Sequence, residues 1–428
     1  MTKDIAFLTM GCAKNEADSA HMQQDLIRAG YNIVGLDEPS DCIVVNTCSF
    51  IQSATEESLE AIFEVAGFDS VKAGDTKLVV CGCLPSRYGE ELDTELSEAD
   101  RIVPCSKEDD IVQIMDGLFG RSSEKDRYEI AFTYSPSEYV KISDGCNRFC
   151  SFCTIPYIRG RYHSFEYEDI RVEVEAMVDA GTKEIVLIAQ DSGIWGLDLK
   201  PRRSLAWLLG NLAESYPSIW FRVMYLQPAG LTDELLDVVA SHSNICNYFD
   251  IPLQHCDPKI LESMNRQGSR QEYEEMVKRI RERIPSAAIR TTLIAGYPGE
   301  TEEQFDELCD FVSEAEFDYI GIFAYSPEDG TPAATMPDQV DDDVKRDRVT
   351  QLRDIADSVS SYIVSQRVGS ELDVLVLGRE DDGQLYGRAQ CQAPDVDGVT
   401  YLTSGEVGQF KRVTIGDTLM YEMEVLGE

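Results

Sequence analysis

Positive charge is scarce in this sequence. Thirty-eight Lys and Arg stand against 78 Asp and Glu over 428 residues, a formal net charge of −40. Lys and Arg supply most of the affinity of proteins for phosphate backbones, so unaided binding to nucleic acid is disfavoured. A basic protein partner is favoured by the same reasoning, although a generally acidic proteome would give the same charge. Long apolar runs are missing too. No stretch approaches the roughly 18–20 apolar residues that a membrane helix needs. The run Ile5 to Leu8 is shorter than the ~7–15 residues of a signal-peptide core. A cytoplasmic protein with no membrane association is expected. Histidine is rare, with 4 residues, and no Ser/His/Asp or Cys/His nucleophile arrangement stands out.

Cysteine is the residue present in quantity, with an odd count of 13. Disulfides are rare in the cytoplasm, so clustered cysteines read there as metal ligands or reactive thiols. Cys42, Cys246, Cys256, Cys309 and Cys391 lie in ordinary surroundings and read as small buried residues. The chain is also too long for one core, and two or three domains are expected.

The N-terminal third reads as repeated β–α units. Ile5 to Thr9, Ile43 to Val45 and Leu78 to Val80 are short apolar runs. The first two precede helical stretches at about Glu16 to Ala29 and Ala54 to Ala66, and more helix follows the third. Such alternation implies a doubly wound parallel sheet. Cys12, Cys48 and Cys83 each follow one of these strands. The carboxyl ends of strands in an open α/β sheet share one edge, where ligands bind, so three thiols would meet in one crevice. A polar stretch, roughly Arg121 to Ser137, suits a linker.

Six further strand-then-helix units follow, at Tyr139 to Ile142, Glu184 to Ile188, Phe221 to Tyr225, Phe249 to Leu253, Ile289 to Ile294 and Tyr319 to Ala324. Right-handed crossovers would wind them into a full or partial β/α barrel, with its active face at the strands' carboxyl ends. From Glu371 onward, short alternating runs separated by Asp-Gly and Gly-Asp turns read as a small β-barrel. Residues 371–428 hold 12 Asp and Glu against 4 Lys and Arg, and residues 1–118 hold 23 against 8. The division expected is 1–118, a linker over 119–137, a barrel over 138–365 and a small β-barrel over 366–428.

Cys146-Asn147-Arg148-Phe149-Cys150-Ser151-Phe152-Cys153 carries the strongest chemical signal. One compact loop can bring three sulfurs to three irons of a 4Fe–4S cluster, which normally takes four cysteines. The fourth iron is then left open for chemistry. Zinc ligands usually come as two separated couples, and no matching couple lies downstream.

The C-x3-C-x2-C spacing, with an aromatic before the third cysteine, resembles the radical S-adenosylmethionine (SAM) superfamily. That resemblance implies SAM chelated to the open iron through its amino and carboxylate groups and cleaved reductively to a 5′-deoxyadenosyl radical. It also implies Phe152 against the adenine. Gly11-Cys12, Asn46-Thr47-Cys48 and Gly82-Cys83 extend the resemblance to the methylthiotransferases and over essentially the whole chain. The C-terminal β-barrel is then similar to the TRAM domain of that family. Two 4Fe–4S clusters are implied, the second on Cys12, Cys48 and Cys83, with one SAM as methyl donor and another as radical source.

Gly11-Cys12-Ala13-Lys14-Asn15, Ser143-Asp144-Gly145-Cys146, Ala189-Gln190-Asp191 and Tyr325-Ser326-Pro327-Glu328-Asp329-Gly330-Thr331 resemble the branch that acts on a ribosomal protein. This implies an aspartate β-carbon on protein twelve of the small ribosomal subunit as substrate, and an electron donor such as flavodoxin or ferredoxin. The tRNA branch would show Met-Asn at Lys14-Asn15 and Gln-Asn-Val near Gln190-Asp191-Ser192. Methylthiolation of a tRNA adenosine is the alternative, and a non-catalytic iron–sulfur carrier is an alternative of another class. Two positions depart from the family pattern: Phe165 follows Ser164 where Arg is usual, and Gln227-Pro228 stands where Tyr-Pro is usual. Gln190 is a further candidate for SAM contact. Gly296-Tyr297-Pro298-Gly299-Glu300 could approach SAM through its backbone, or simply open a helix capped by Thr301 and Gln304. His255 could line the pocket, although a lone histidine near a strand end is more often structural.

Overall fold

The three apolar runs of the N-terminal third form the middle of one parallel sheet. In the computed structural model, residues 2–122 and 134–427 are described. The chain divides into two compact units, one of Met1–Thr133, Asp144–Phe149 and Cys153–His163, the other of Tyr134–Ser143, Cys150–Phe152 and Ser164–Glu428.

In the first unit, β1 (Asp4–Thr9), β2 (Asn32–Val34), β3 (Cys42–Thr47), β4 (Lys77–Gly82) and β5 (Arg101–Pro104) pair in the order β2-β1-β3-β4-β5. Every pairing is parallel. Period-2 alternation sends Ile5, Val44 and Val79 to one face and Ala6, Ile43, Val45, Leu78 and Val80 to the other. Helix Ala13–Arg28 covers the first face with Met22 and Leu26, and helix Gln52–Ala66 covers the second with Ile62 and Val65. Each buried aliphatic side chain contributes roughly 1.5–3 kcal/mol, so both faces hold the sheet. The doubly wound expectation agrees with this topology. Strands β2 and β5, of three and four residues, did not show as apolar runs. Most of the stretch read as a linker, residues 123–133, lies outside the described residues.

The second unit contains six parallel barrel strands. Ser137–Lys141, Glu184–Ile188 and Trp220–Val223 pair in that order, as do Tyr248–Asp250, Ala288–Ala295 and Tyr319–Ala324. A parallel bridge between Phe221 and Ile245 joins the two sets, giving a partial β/α barrel. Three strands stop short of the expected ends, the first by the single residue Ile142. Tyr225 has φ +62°, which ends the strand expected to reach it. Pro252, which has no N–H to donate, and Gln254 at φ +75° end the one expected to reach Leu253.

The chain's last strands, Glu371–Arg379, Leu385–Ala389, Thr400–Leu402, Phe410–Leu419 and Glu422–Val425, close a five-stranded barrel. It is tied to the amino ends of the β/α strands. Buried Glu184 accepts from Arg222 Nε at 2.9 Å, Arg388 Nε at 3.0 Å and Ser137 Oγ at 2.9 Å. Asp397 Oδ2 accepts from Tyr248 OH at 2.6 Å and the Ala393 N–H at 2.8 Å, with Arg290 Nε 3.7 Å from its Oδ1. No helix among the described residues is long and apolar enough to cross a membrane.

Candidate functional site

Gly11 and Gly82 explain why a glycine precedes two of the N-terminal cysteines. Both have φ +98°. A Cβ on Gly11 would lie 2.5 Å from Cys48 Cβ and 3.0 Å from its Sγ, and one on Gly82 would lie 2.5 Å from Thr47 O. Only glycine allows the strand ends to approach this closely. The register sets the partners: Thr9 pairs Asn46, Thr47 pairs Gly82, and Gly82 pairs Pro104. Cys12, Cys48 and Cys83 therefore emerge from three neighbouring strands at one edge.

Asn15 gathers this edge. Its Oδ1 lies 4.0 Å from Cys12 Sγ and 3.8 Å from Cys83 Sγ, and its Nδ2 donates to Thr47 O at 2.8 Å. Asn46, wholly buried, donates to Asn15 O at 3.0 Å. Cys12 caps helix Ala13–Arg28 and Cys83 opens helix Cys83–Glu95, so both thiols sit at the positive ends of helices. Cys48 is held through Ser58, whose Oγ accepts from the Cys48 N–H at 3.0 Å and donates to Cys48 O at 2.8 Å. Burial pushes the Cys48 thiol up. The N–H groups of Phe50 and Ser49 and the Arg159 charge pull it down, while Cys12 adds to the rise.

Three residues here are not singled out by the sequence alone. Asn15 stands in the Gly11–Asn15 motif without a role of its own there. Arg159 donates to Asn15 Oδ1 at 3.0 Å and to Cys83 Sγ at 3.7 Å. Cys105 follows β5 as Cys83 follows β4, and hydrogen bonding to Cys83, then burial, drive its thiol far up. Cys105 follows a strand of the sheet too, but Arg101–Pro104 is short with only Val103 buried, so no apolar run marks it in the sequence.

The loop Cys146–Cys153 contains no helix or strand. Cys146 and Cys153 belong to the first unit and Cys150 to the second. Gly145, at φ +73°, lies against the backbone of Arg161, and the Cys146 N–H donates to Gly160 O at 3.1 Å. Phe149, at φ +49°, lies under the Arg161 guanidinium at 4.4 Å. In the second unit, the Ser151 N–H donates to Met264 O at 3.1 Å, and its hydroxyl meets Ser263 O and Tyr297 OH, each at 2.7 Å. Phe152 packs on Ile260, Met264, Ile294, Tyr297 and Tyr325. Arg266 reaches Cys150 Sγ at 3.8 Å and donates to Gln227 Oε1 and Pro252 O, each at 2.7 Å. Gln227, one of the two departures from the family pattern, thus helps to hold the arginine beside a loop cysteine. Phe165, the other, carries Lys141 5.6 Å from its ring and accepts from Trp195 Nε1 at 3.2 Å.

Gln190 stands two residues past the strand Glu184–Ile188, at the barrel's carboxyl end. The Gly296–Glu300 turn opens a helix with a full capping box from Thr301 and Gln304, and the Gly296 N–H donates to both Glu300 oxygens. His255 is buried, accepting from the Asp257 N–H at 3.0 Å and lying 3.4 Å from Glu300, which makes it part of that turn's support. Cys42, Cys246, Cys256, Cys309 and Cys391 are buried, and burial is the main cause that pushes their thiols up, to about 12 for Cys246 and about 11 for Cys309. Inert structural thiols behave in this way.

Among the described residues, no three His, Cys, Asp or Glu close on a single-ion site. Three thiols following neighbouring strands, with an Arg159 N–H directed at one sulfur, are donors of the kind an iron–sulfur cluster takes.

A partial β/α barrel with a three-cysteine loop beyond its first strand defines the radical SAM class, and family models agree. The model described as the radical SAM superfamily matches residues 140–312, uncharacterized protein family UPF0004 matches 4–104, and the TRAM domain matches 368–426. A ribosomal protein uS12 methylthiotransferase RimO of Clostridioides difficile is 39% identical over 98% of this chain and 97% of its own length. One of Syntrophus aciditrophicus is 41% identical over 94% and 92%. The chain belongs to the RimO methylthiotransferase family. The radical SAM methyltransferase TsrM of Kitasatospora setae, solved with cobalamin and a [4Fe-4S] cluster, shares the fold at a TM-score of 0.57. It is 15% identical and covers 78% of this chain and 74% of its own.

Proposed function

We propose that this chain methylthiolates the β-carbon of an aspartate on protein twelve of the small ribosomal subunit, uS12. The reading uses two SAM molecules and two 4Fe–4S clusters. The observation that carries it is the near full-length identity to proteins named for that activity. The separation into an N-terminal domain at 1–118, a barrel at 138–365 and a TRAM barrel at 366–428 fits the division of labour. When bound, the clusters and SAM supply the radical, the methyl group and a sulfur held near the radical carbon.

The chain's own residues have distinct tasks. Cys146, Cys150 and Cys153 hold one cluster and, being three, leave one iron for SAM. Cys12, Cys48 and Cys83 hold the other, with Asn15 and Asn46 locking their strand ends. Phe152 and Gln190 border the SAM position, and Ser151 fixes Phe152 by anchoring the loop to Ser263 and Tyr297. The acidic TRAM barrel suits a basic ribosomal protein better than tRNA. A one-electron donor such as flavodoxin or ferredoxin completes the system.

The test compares ribosomal proteins and tRNA from cells lacking the gene with those from the complemented strain, by mass spectrometry. Loss of one methylthio group from uS12, regained on complementation, is expected. Retention on uS12 with loss of a methylthio-adenosine from tRNA would replace this substrate with the tRNA alternative.

A further inference from the structure

Arg159 is a cation sealed inside an acidic unit. Its side chain is 2% exposed, and Asp18, its partner, is 3% exposed. Nη1 donates to Asp18 Oδ2 at 2.7 Å and reaches Asp144 Oδ2 at 3.4 Å. Nη2 is shared between Asn15 Oδ1 at 3.0 Å and Cys83 Sγ at 3.7 Å. One carboxylate would be enough to neutralise a buried guanidinium. Here two carboxylates clamp one end of its fork and aim the other end at a sulfur.

Such an arrangement has a known physical effect on an iron–sulfur centre. Net charge and hydrogen bonds to the sulfurs set its reduction potential. One-electron reduction makes a thiolate-bound cluster more negative, so a fixed positive charge on a ligand sulfur favours the reduced form. Asn15, which lies near both Cys12 and Cys83, holds the second nitrogen in register.

We propose that Arg159 is a positioning residue that raises the reduction potential of the cluster on Cys12, Cys48 and Cys83, with Asp18 and Asp144 holding its guanidinium on Cys83. The inference rests on the assignment of that cluster made above. It also gives the Cys146–Cys153 cluster no such dependence on Arg159, because the contact is to Cys83.

The experiment uses the full-length reconstituted protein, with dithionite as electron source and redox mediators, followed by electron paramagnetic resonance. Each cluster has three cysteine ligands and so one open iron, and the two are told apart by the signal that C83A removes (the N-terminal cluster) and the signal that C150A removes (the loop cluster). In R159M the ratio of reduced to oxidised N-terminal cluster is expected to fall at least tenfold at a fixed poise. For a one-electron couple this is a drop of about 59 mV. R159K, which keeps the charge, is expected to recover part of it, and the loop cluster keeps its native potential in both. A native potential of the N-terminal cluster in R159M overturns the proposal, as does an R159K no nearer to native than R159M. R159Q supplies a second neutral variant. Should neither neutral variant hold iron at the N-terminal site while the loop-cluster signal is intact, Arg159 serves assembly and the proposal is likewise overturned. A native protein lacking any signal that C83A removes would instead sink the cluster assignment itself.

Discussion

Gly82 concentrates the constraints of the N-terminal edge in one residue. An alanine there would have to take φ +98°, ψ −148°, a conformation essentially reserved to glycine that costs roughly 1–3 kcal/mol, and would press its Cβ on Thr47 O at 2.5 Å. Relief of that contact must displace Cys83 or Cys48, so Gly82→Ala is expected to lower both the denaturation midpoint and the iron bound per chain at the N-terminal site. Gly117 provides the opposite case. It lies inside helix Ile111–Phe119, and a Cβ there meets nothing within 4 Å. Gly117→Ala is expected to stabilise by about 0.5–1 kcal/mol with iron content unchanged, as read by denaturant titration and iron analysis. A fall in stability for Gly117→Ala would show that the space is not free.

The strands that carry the barrel also carry its pH response. Burial pushes the Glu184 carboxyl up, but the Arg388 and Arg222 charges outweigh this and hold it near about 2, against 4.5 in the unfolded chain. Its contribution is therefore full above about 4.5 and lost as pH falls towards 2. Asp397 has the opposite sign. Burial raises it to about 6 from 3.8, despite Arg290 and Tyr248. Its contribution is full below about 3.8 and lost as pH rises through 6. Thermal unfolding followed across pH 3–8 is expected to show Asp397→Asn flattening the slope between about 4 and 6. Glu184→Gln removes the acid-side slope and costs about 3–5 kcal/mol by stranding two buried arginines. Equal pH profiles for wild type and D397N would rule out this role for Asp397. These ties were invisible in the sequence, because Glu184 and Arg388 lie 204 residues apart. The strands themselves were legible, because apolar runs ended in cysteines or turn residues. Strand β5 was not, since Arg101–Pro104 is short and only Val103 is buried, and with it went Cys105. Cysteine spacing disclosed the six proposed ligands. The Asn15 and Arg159 contacts arise from long-range packing that no local pattern encodes.

Charge acts at the scale of the whole molecule. With a net charge of −40, approach of the basic ribosomal protein proposed as substrate would be steered electrostatically, and such steering changes association rates by roughly 10–1,000-fold. Raising ionic strength from low to physiological or above is expected to weaken kcat/KM for the ribosomal substrate mainly through KM. SAM cleavage without substrate should hardly respond. A kcat/KM independent of salt would argue for a contact surface away from the acidic regions. The two sets of cysteines also differ in when they become complete during synthesis. The loop set is finished within eight residues, almost as soon as Cys146 leaves the ribosome. The sheet set needs Cys12 to wait for Cys83, about 70 residues later, and for β3 and β4 to pair. At ~5–20 residues per second, that is a delay of several seconds. Cys12 throughout that interval, and Cys48 over its second half, are nascent thiols whose proposed set is still unfinished.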